Sequence, residues 1–199
     1  MMNRKLFIVD PQNGFMDDGS LPVAGAHARM AALGKYLSDL DLNDYDHITV
    51  SLDWHPMTHC SFAEQGGPWP QHCVAFTADA LVTDEVMQPL LRWMKAGKVD
   101  FITKGKETGI EEYAALDNAE NAASIAQMQA DTDQLDVCGV VGTVCVQNTL
   151  QGLLDRQVLA PAKIRVLTPF TAQFDAAAEQ AFIDWCRNQE LVVNTGDIS

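Results

Sequence analysis

The sequence predicts an α/β fold built on a mainly parallel, six-stranded sheet. Short apolar runs of strand length alternate with longer amphipathic stretches along the chain, which is the pattern of repeated βα units. No internal repeat, low-complexity tract or linker interrupts that alternation. A length of 199 residues with 47% hydrophobic composition suits one domain over residues 1–199, large enough to bury a core without disulfide help.

The first strand falls at residues 5–10 (KLFIVD), and a helix follows at 27–40 with Met30, Leu33, Leu37 and Leu40 on one face. The second strand is 47–53 (HITVSLD). A helix at 83–95 has capping residues Thr83 and Asp84 and a stop at Gly97, and Pro89 puts the start of that helix in doubt. The third strand is 99–104 (VDFITK), followed by an Ala-rich helix at 118–130. The fourth strand, 135–141 (LDVCGVV), feeds a helix at 143–156. A fifth strand at 163–167 leads to a helix at 172–188 with Phe174, Ala178, Ala181 and Trp185 in register, and a last short strand covers 191–194. One long irregular piece, 54–80, holds Pro56, Pro68, Pro70 and three of the five histidines. Connections of that length inside compact domains are usually functional.

The formal charge of -14 disfavours nucleic acid and anionic membranes as partners. The N-terminal MMNRKLFIVD lacks a signal-peptide core, and no apolar run reaches membrane-spanning length, so a cytoplasmic protein is expected. Five cysteines at irregular spacing argue against a disulfide framework. A homo-oligomer is left open.

Open parallel sheets bind ligands beyond the carboxyl ends of their strands. Asp10 ends the first strand, Asp53 the second (with His55 just beyond) and Lys104 the third. Cys145 lies where the fourth strand turns into its helix. Two constellations result. Asp53, His55, His59 and His72 combine a carboxylate with imidazoles at short spacing, which suits one divalent transition metal, zinc before iron or manganese. Cys60 and Cys73 adjoin two of these residues and are weaker alternatives as ligands.

Asp10, Lys104 and Cys145 form the second constellation. A thiol that attacks an amide needs a base, a cation or a helix N-terminus beside it. A helix start at Cys145 favours its thiolate and offers backbone N–H groups to an oxyanion. With the loop histidines committed to metal, Asp10 is left as base and Lys104 as charge partner. There is no G-x-S-x-G, P-loop or G-x-G-x-x-G. A hydrolase using metal-bound hydroxide stays open, but it leaves Cys145 and Lys104 unexplained.

The blocks VDPQNGF, DWHPMTHCSF, WPQHC, the KG of ITKGKETG and GVVGTVCVQNT resemble, in order and spacing over nearly the whole chain, the nicotinamidase branch of the isochorismatase-like cysteine hydrolases. The resemblance implies a three-layer α/β/α fold. It also implies a metal-assisted amidohydrolase that converts nicotinamide to nicotinate and ammonia through a thioester, in NAD salvage. Asp10, Lys104 and Cys145 match the catalytic triad, and Asp53, His55, His59 and His72 match the metal ligands. The N–H groups of Val141 and Cys145 match the oxyanion hole, and Val140-Val141 matches a pair joined by a non-proline cis peptide. Phe15 and Trp69 match the residues that hold the pyridine ring, with Val140 and Val144 beside the substrate. Thr143 and Val144 stand where the family often has an acidic residue and an aromatic or histidine, and Glu107, Glu111 and Glu112 follow Lys104 where an aromatic is more familiar. Two further readings are hydrolysis of another small amide and an inactive metal-binding homologue.

Overall fold

The computed structural model describes residues 2–196. The elements follow in the order β1 (Arg4–Val9), α1 (Ala26–Asp39), β2 (His47–Asp53), α2 (Asp84–Lys95), β3 (Val99–Lys104), α3 (Ala122–Gln129), β4 (Gln134–Gly139), α4 (Gln147–Asp155), β5 (Ile164–Thr171), α5 (Ala176–Asn188) and β6 (Val192–Asn194). The six strands form one parallel sheet in the order β3-β2-β1-β4-β5-β6.

Successive side chains of a strand point to opposite faces, and β1 shows what this does. Leu6 and Ile8 pack with Met30, Leu33 and Leu37 of α1 and Val86, Leu90 and Trp93 of α2. Phe7 and Val9 pack on the other face with Met128 of α3, Leu150 and Leu153 of α4 and Phe182 of α5. The result is the three-layer arrangement expected. The strand order reverses between β1 and β4, and such a reversal opens a crevice at the carboxyl ends of the strands.

α2 keeps its expected span with Pro89 inside it, and four other elements differ from expectation. A proline there leaves the Glu85 carbonyl without its helical donor. Gly34 of α1 lies directly against that carbonyl, so close that a Cβ on it would be 2.0 Å from the oxygen. The expected helix over 118–130 begins as tight turns, with Asn118 accepting from the Glu120 N–H at 2.9 Å, and becomes α-helical only at Ala122. Lys5 meets its C-terminal end, donating to the carbonyls of Ala130 at 2.7 Å and of Gln127.

β5 runs on to Thr171 instead of stopping at 167. Pro169, which reads as a strand breaker, is absorbed where the β4–β5 register shifts. The last helix therefore starts at Ala176, with the Asp175 side chain accepting from the Ala178 N–H at 2.7 Å. Finally, the helix after β4 opens with a wide π-turn, Gly142–Val146, before α4 begins. Such turns are rare and are found disproportionately at functional sites.

Candidate active site and metal centre

Asp10 follows β1 in the left-handed region, φ 49, a conformation Asp tolerates better than most residues. Its N–H donates to the Ser51 carbonyl at 3.1 Å, and the Ser51 hydroxyl donates to Asp10 Oδ1 at 2.7 Å. Asp53 and Lys104 close β2 and β3 as direct partners in the sheet register. Lys104, 1% exposed, is the centre of the group. Its Nζ lies 3.0 Å from Asp10 Oδ2 and 3.5 Å from Cys145 Sγ, and it contacts Asp53 Oδ1 more closely still. The reactive atoms of Asp10, Asp53 and Cys145 all lie within 4.8 Å of one another.

One cation thus serves two buried carboxylates and a thiol. Burial opposes the charge on Lys104, but Asp10 and Asp53 outweigh it and hold the ammonium well above its ordinary range. Burial also pushes against Asp53, yet Lys104 and then the neighbouring His55 and His72 side chains hold that carboxyl well below the usual carboxylate range. Asp10 comes out on the other side: burial raises it, Lys104 pulls back, and the charge of Asp53 raises it again. For Cys145, burial together with the Asp10 and Asp53 charges outweighs Lys104 and pushes the thiol well above its free value. The side chain sits in the wide turn ahead of α4 rather than within that helix.

The buried side chains of Asp53, His55 and His72 converge as a set of potential metal ligands. His55 Nδ1 meets the Gly105 carbonyl at 3.0 Å and His72 Nδ1 meets the Pro70 carbonyl at 2.8 Å. A carbonyl only accepts, so both protons sit on Nδ1 and both Nε2 lone pairs are free. The two Nε2 atoms face Asp53 Oδ2 at 3.6 and 3.8 Å. Imidazoles oriented by a carbonyl behind them, beside a carboxylate, are the donor chemistry of a divalent transition metal, and these residues fit one.

His59 is placed differently. Its ring stacks on His55 with centroids 4.2 Å apart, but Nε2 donates to the Ile110 carbonyl at 3.0 Å and Nδ1 accepts from Ser61 Oγ at 2.7 Å. With both nitrogens engaged, His59 stays outside the group of three, as do Cys60 and Cys73. The segment after β3 causes this, because it crosses the loop and also takes the Cys60 N–H on the Thr108 carbonyl at 2.8 Å.

These groups open into a cavity with about 340 Å³ of atom-free space, including its mouth. Phe15, Trp69 and Val144 line it. Val140 does not: it is fully buried in the core on the α1 side, because its place just past the end of β4 turns the side chain away from the crevice. The Val140–Val141 peptide is cis. The Val141 N–H has no hydrogen-bond partner among the described residues.

The lining also includes Leu21, Ser61, Glu111, Tyr113 and Phe174, which were not anticipated as site residues. Tyr113 accepts from Trp69 Nε1 at 3.2 Å, and Phe174 stacks on Trp69 with centroids 6.2 Å apart. Phe174 was assigned to a helix face, and only the longer β5 moves it into the pocket. Of the other acids after Lys104, Glu112 turns inward to accept the Gly105 N–H at 2.8 Å, and Glu107 is exposed. Gln12, also unanticipated, is fully buried and clamps Asp53. Its Oε1 accepts from the Asp53 N–H at 2.8 Å, and its Nε2 donates to the carbonyls of Asp53 at 2.7 Å and Ala80 at 2.9 Å. A buried amide two residues past a strand-end Asp is the signal that would have found it.

Comparison with known proteins fits this geometry. No protein-family model matches the chain. The nicotinamidase/pyrazinamidase of Mycobacterium tuberculosis is 32% identical over 194 residues, covering 94% of this chain and 96% of that protein. The chain belongs to the nicotinamidase/pyrazinamidase family. An L. infantum protein solved in complex with nicotinate has a TM-score of 0.79 at 27% identity, over 97% of this chain and 92% of that one. The pyrazinamidase of Pyrococcus horikoshii, solved with zinc, has a TM-score of 0.79 at 23% identity over 98% and 99% of the two chains, a likeness of fold. The six-stranded sheet is thus the isochorismatase-like sheet of this nicotinamidase family, with its crevice where β1 and β4 part.

Proposed function

We propose that this chain hydrolyses nicotinamide to nicotinate and ammonia, with Cys145 as nucleophile, Asp10 as proton carrier and Lys104 as their charge partner. The observation that carries the reading is the position of Lys104 Nζ, within 3.5 Å of both Asp10 and Cys145 and in contact with Asp53 at the floor of one small aromatic pocket. Membership of a family whose M. tuberculosis relative is a nicotinamidase/pyrazinamidase, and the nicotinate held by the L. infantum structure, support the substrate.

Asp53, His55 and His72 would hold the metal, with His59 joining if its Nε2 leaves the Ile110 carbonyl; zinc in the P. horikoshii pyrazinamidase supports that choice of ion. When bound, the metal supplies a Lewis-acidic position for the pyridine nitrogen and so orients the ring. Phe15 and Trp69 flank the ring space. Because Cys145 rests as a thiol, its proton must leave as the Sγ–C bond forms. Asp10 Oδ2 receives it, since Oδ1 is already taken by Ser51. The N–H groups of Val141 and Cys145 hold the carbonyl oxygen as it gains charge. Asp10 then returns the proton to the amide nitrogen, the C–N bond breaks, and ammonia leaves a thioester. Water adds to the thioester carbon while giving a proton to Asp10; the C–S bond breaks and Sγ regains its proton. Hydrolysis of this kind returns nicotinamide to NAD salvage as nicotinate.

Ammonia release from nicotinamide by purified protein of known metal content tests the reading directly. No release above background with metal present would sink it. Cys145→Ala should abolish turnover with metal content unchanged, whereas surviving activity would transfer the chemistry to a metal-activated water.

A further inference from the structure

Glu111 is the carboxylate in the pocket lining that the hydrolysis described above does not use. Apart from the reactive groups and Ser61, the lining around it is aromatic and apolar. Glu111 is half-buried, and no side chain among the described residues pairs with or donates to its carboxylate, beside which lies only the backbone N–H of Glu112. Its neighbour Glu112, by contrast, is consumed by the Gly105 N–H at 2.8 Å. Nor is a cation spare. Lys104 is the only Lys or Arg lining the cavity, and it is already shared by Asp10 and Asp53. The same lining holds Asp53, His55 and His72.

A carboxylate half-withdrawn from water and without a side-chain donor favours a ligand that brings one. A ring edge bearing only C–H against that oxygen gives no hydrogen bond in return for the water it displaces, whereas an amino group gives a charge-assisted one. We infer that Glu111 is a specificity-determining residue that selects aromatic carboxamides carrying an exocyclic amino group on the ring edge over equally large amides without a donor there. The inference rests on the amide-hydrolase reading of the same pocket.

The test compares kcat/KM for the 5- and 6-amino derivatives of nicotinamide with that for the methyl derivatives of the same size, in the wild-type holoenzyme and in Glu111→Met and Glu111→Gln. In the wild type, at least one amino compound should exceed its methyl counterpart by about tenfold or more, the scale of a hydrogen bond to a charged group. Glu111→Met should bring that ratio to about one, and Glu111→Gln should leave it in between, because a neutral acceptor makes roughly half as strong a bond. A ratio near one in the wild type, or one that Glu111→Met does not change, overturns the inference. Weaker metal binding in both variants with an unchanged ratio overturns it too, by assigning the carboxylate to the metal centre. Failure of the underlying reading looks different: nicotinamide and every derivative would then be inert in the wild type.

Discussion

Replacing Gln12 by methionine removes three hydrogen bonds while keeping nearly the same volume. Gln12 holds both backbone groups of Asp53 and the carbonyl of Ala80, at 2.7 to 2.9 Å, inside a fully buried environment. The thioether restores none of these bonds. A buried polar group left without a partner costs about 1–3 kcal/mol, with carbonyls nearer the lower end because they keep a second lone pair. One stranded N–H and two weakened carbonyls therefore sum to about 3 kcal/mol. With a urea m-value of about 2 kcal/mol/M, the unfolding midpoint of the metal-free protein should fall by about 1.5 M at constant m. Asp53 also loses the clamp that fixes its carboxylate between Lys104 and the two histidines, so metal affinity should drop by about 10- to 100-fold, as for other outer-shell partners. Urea unfolding and metal titration of the same preparations check both. A midpoint shift below about 0.5 M would refute the reasoning, because it would mean that water or a small backbone shift satisfies what the amide satisfies now.

Lys104→Met strands two buried carboxylates and should cost about 3–5 kcal/mol in urea unfolding, together with most of the turnover. Gly34→Ala should destabilise by about 1–3 kcal/mol in the same assay, because α1 must back away from the Glu85 carbonyl that Pro89 leaves free. The pH profile of stability tests Asp100. Burial would raise this carboxyl, but His47, 2.8 Å from its Oδ1, and then the nearby Ser124 and Thr49 hold it below its ordinary value. A depressed folded-state value stabilises above the unfolded pKa of about 3.9 and is lost as pH falls through the folded one. Asp100→Asn should therefore lower the urea midpoint at neutral pH and flatten its decline below about pH 4, and parallel acid limbs in the two proteins would contradict the assignment.

The strands and the rim were readable because a parallel strand buried on both faces is apolar throughout and ends abruptly at its first functional side chain. KLFIVD, HITVSLD and VDFITK each stop on a residue that the structure brings to the same floor, Asp10, Asp53 and Lys104. What could not be read depended on contacts between distant segments. Phe174 carries a helical spacing to Ala178 and Ala181, and only the β4–β5 register shift removes it from the helix. Pro89 puts the start of α2 in doubt because its compensation, Gly34, lies in another helix. The orientation of His59 depends on the Ile110 carbonyl, fifty-one residues away. The resting state of Cys145 depends on the balance of two carboxylates against one ammonium, which spacing along the chain does not reveal.

The two oxygens of Asp53 face different neighbours, Oδ1 toward Lys104 and Oδ2 toward His55 and His72. That division has a consequence for how such a chain diverges. If His55 and His72 hold the ion and Asp10 carries the proton as proposed, a change at either histidine acts first on ion binding and a change at Asp10 on proton transfer, so descendants can vary either half while keeping the other. At position 53 a single codon governs both halves, and a descendant that gives up the metal while retaining the nucleophile must find a new counter-charge for Lys104 in the same step.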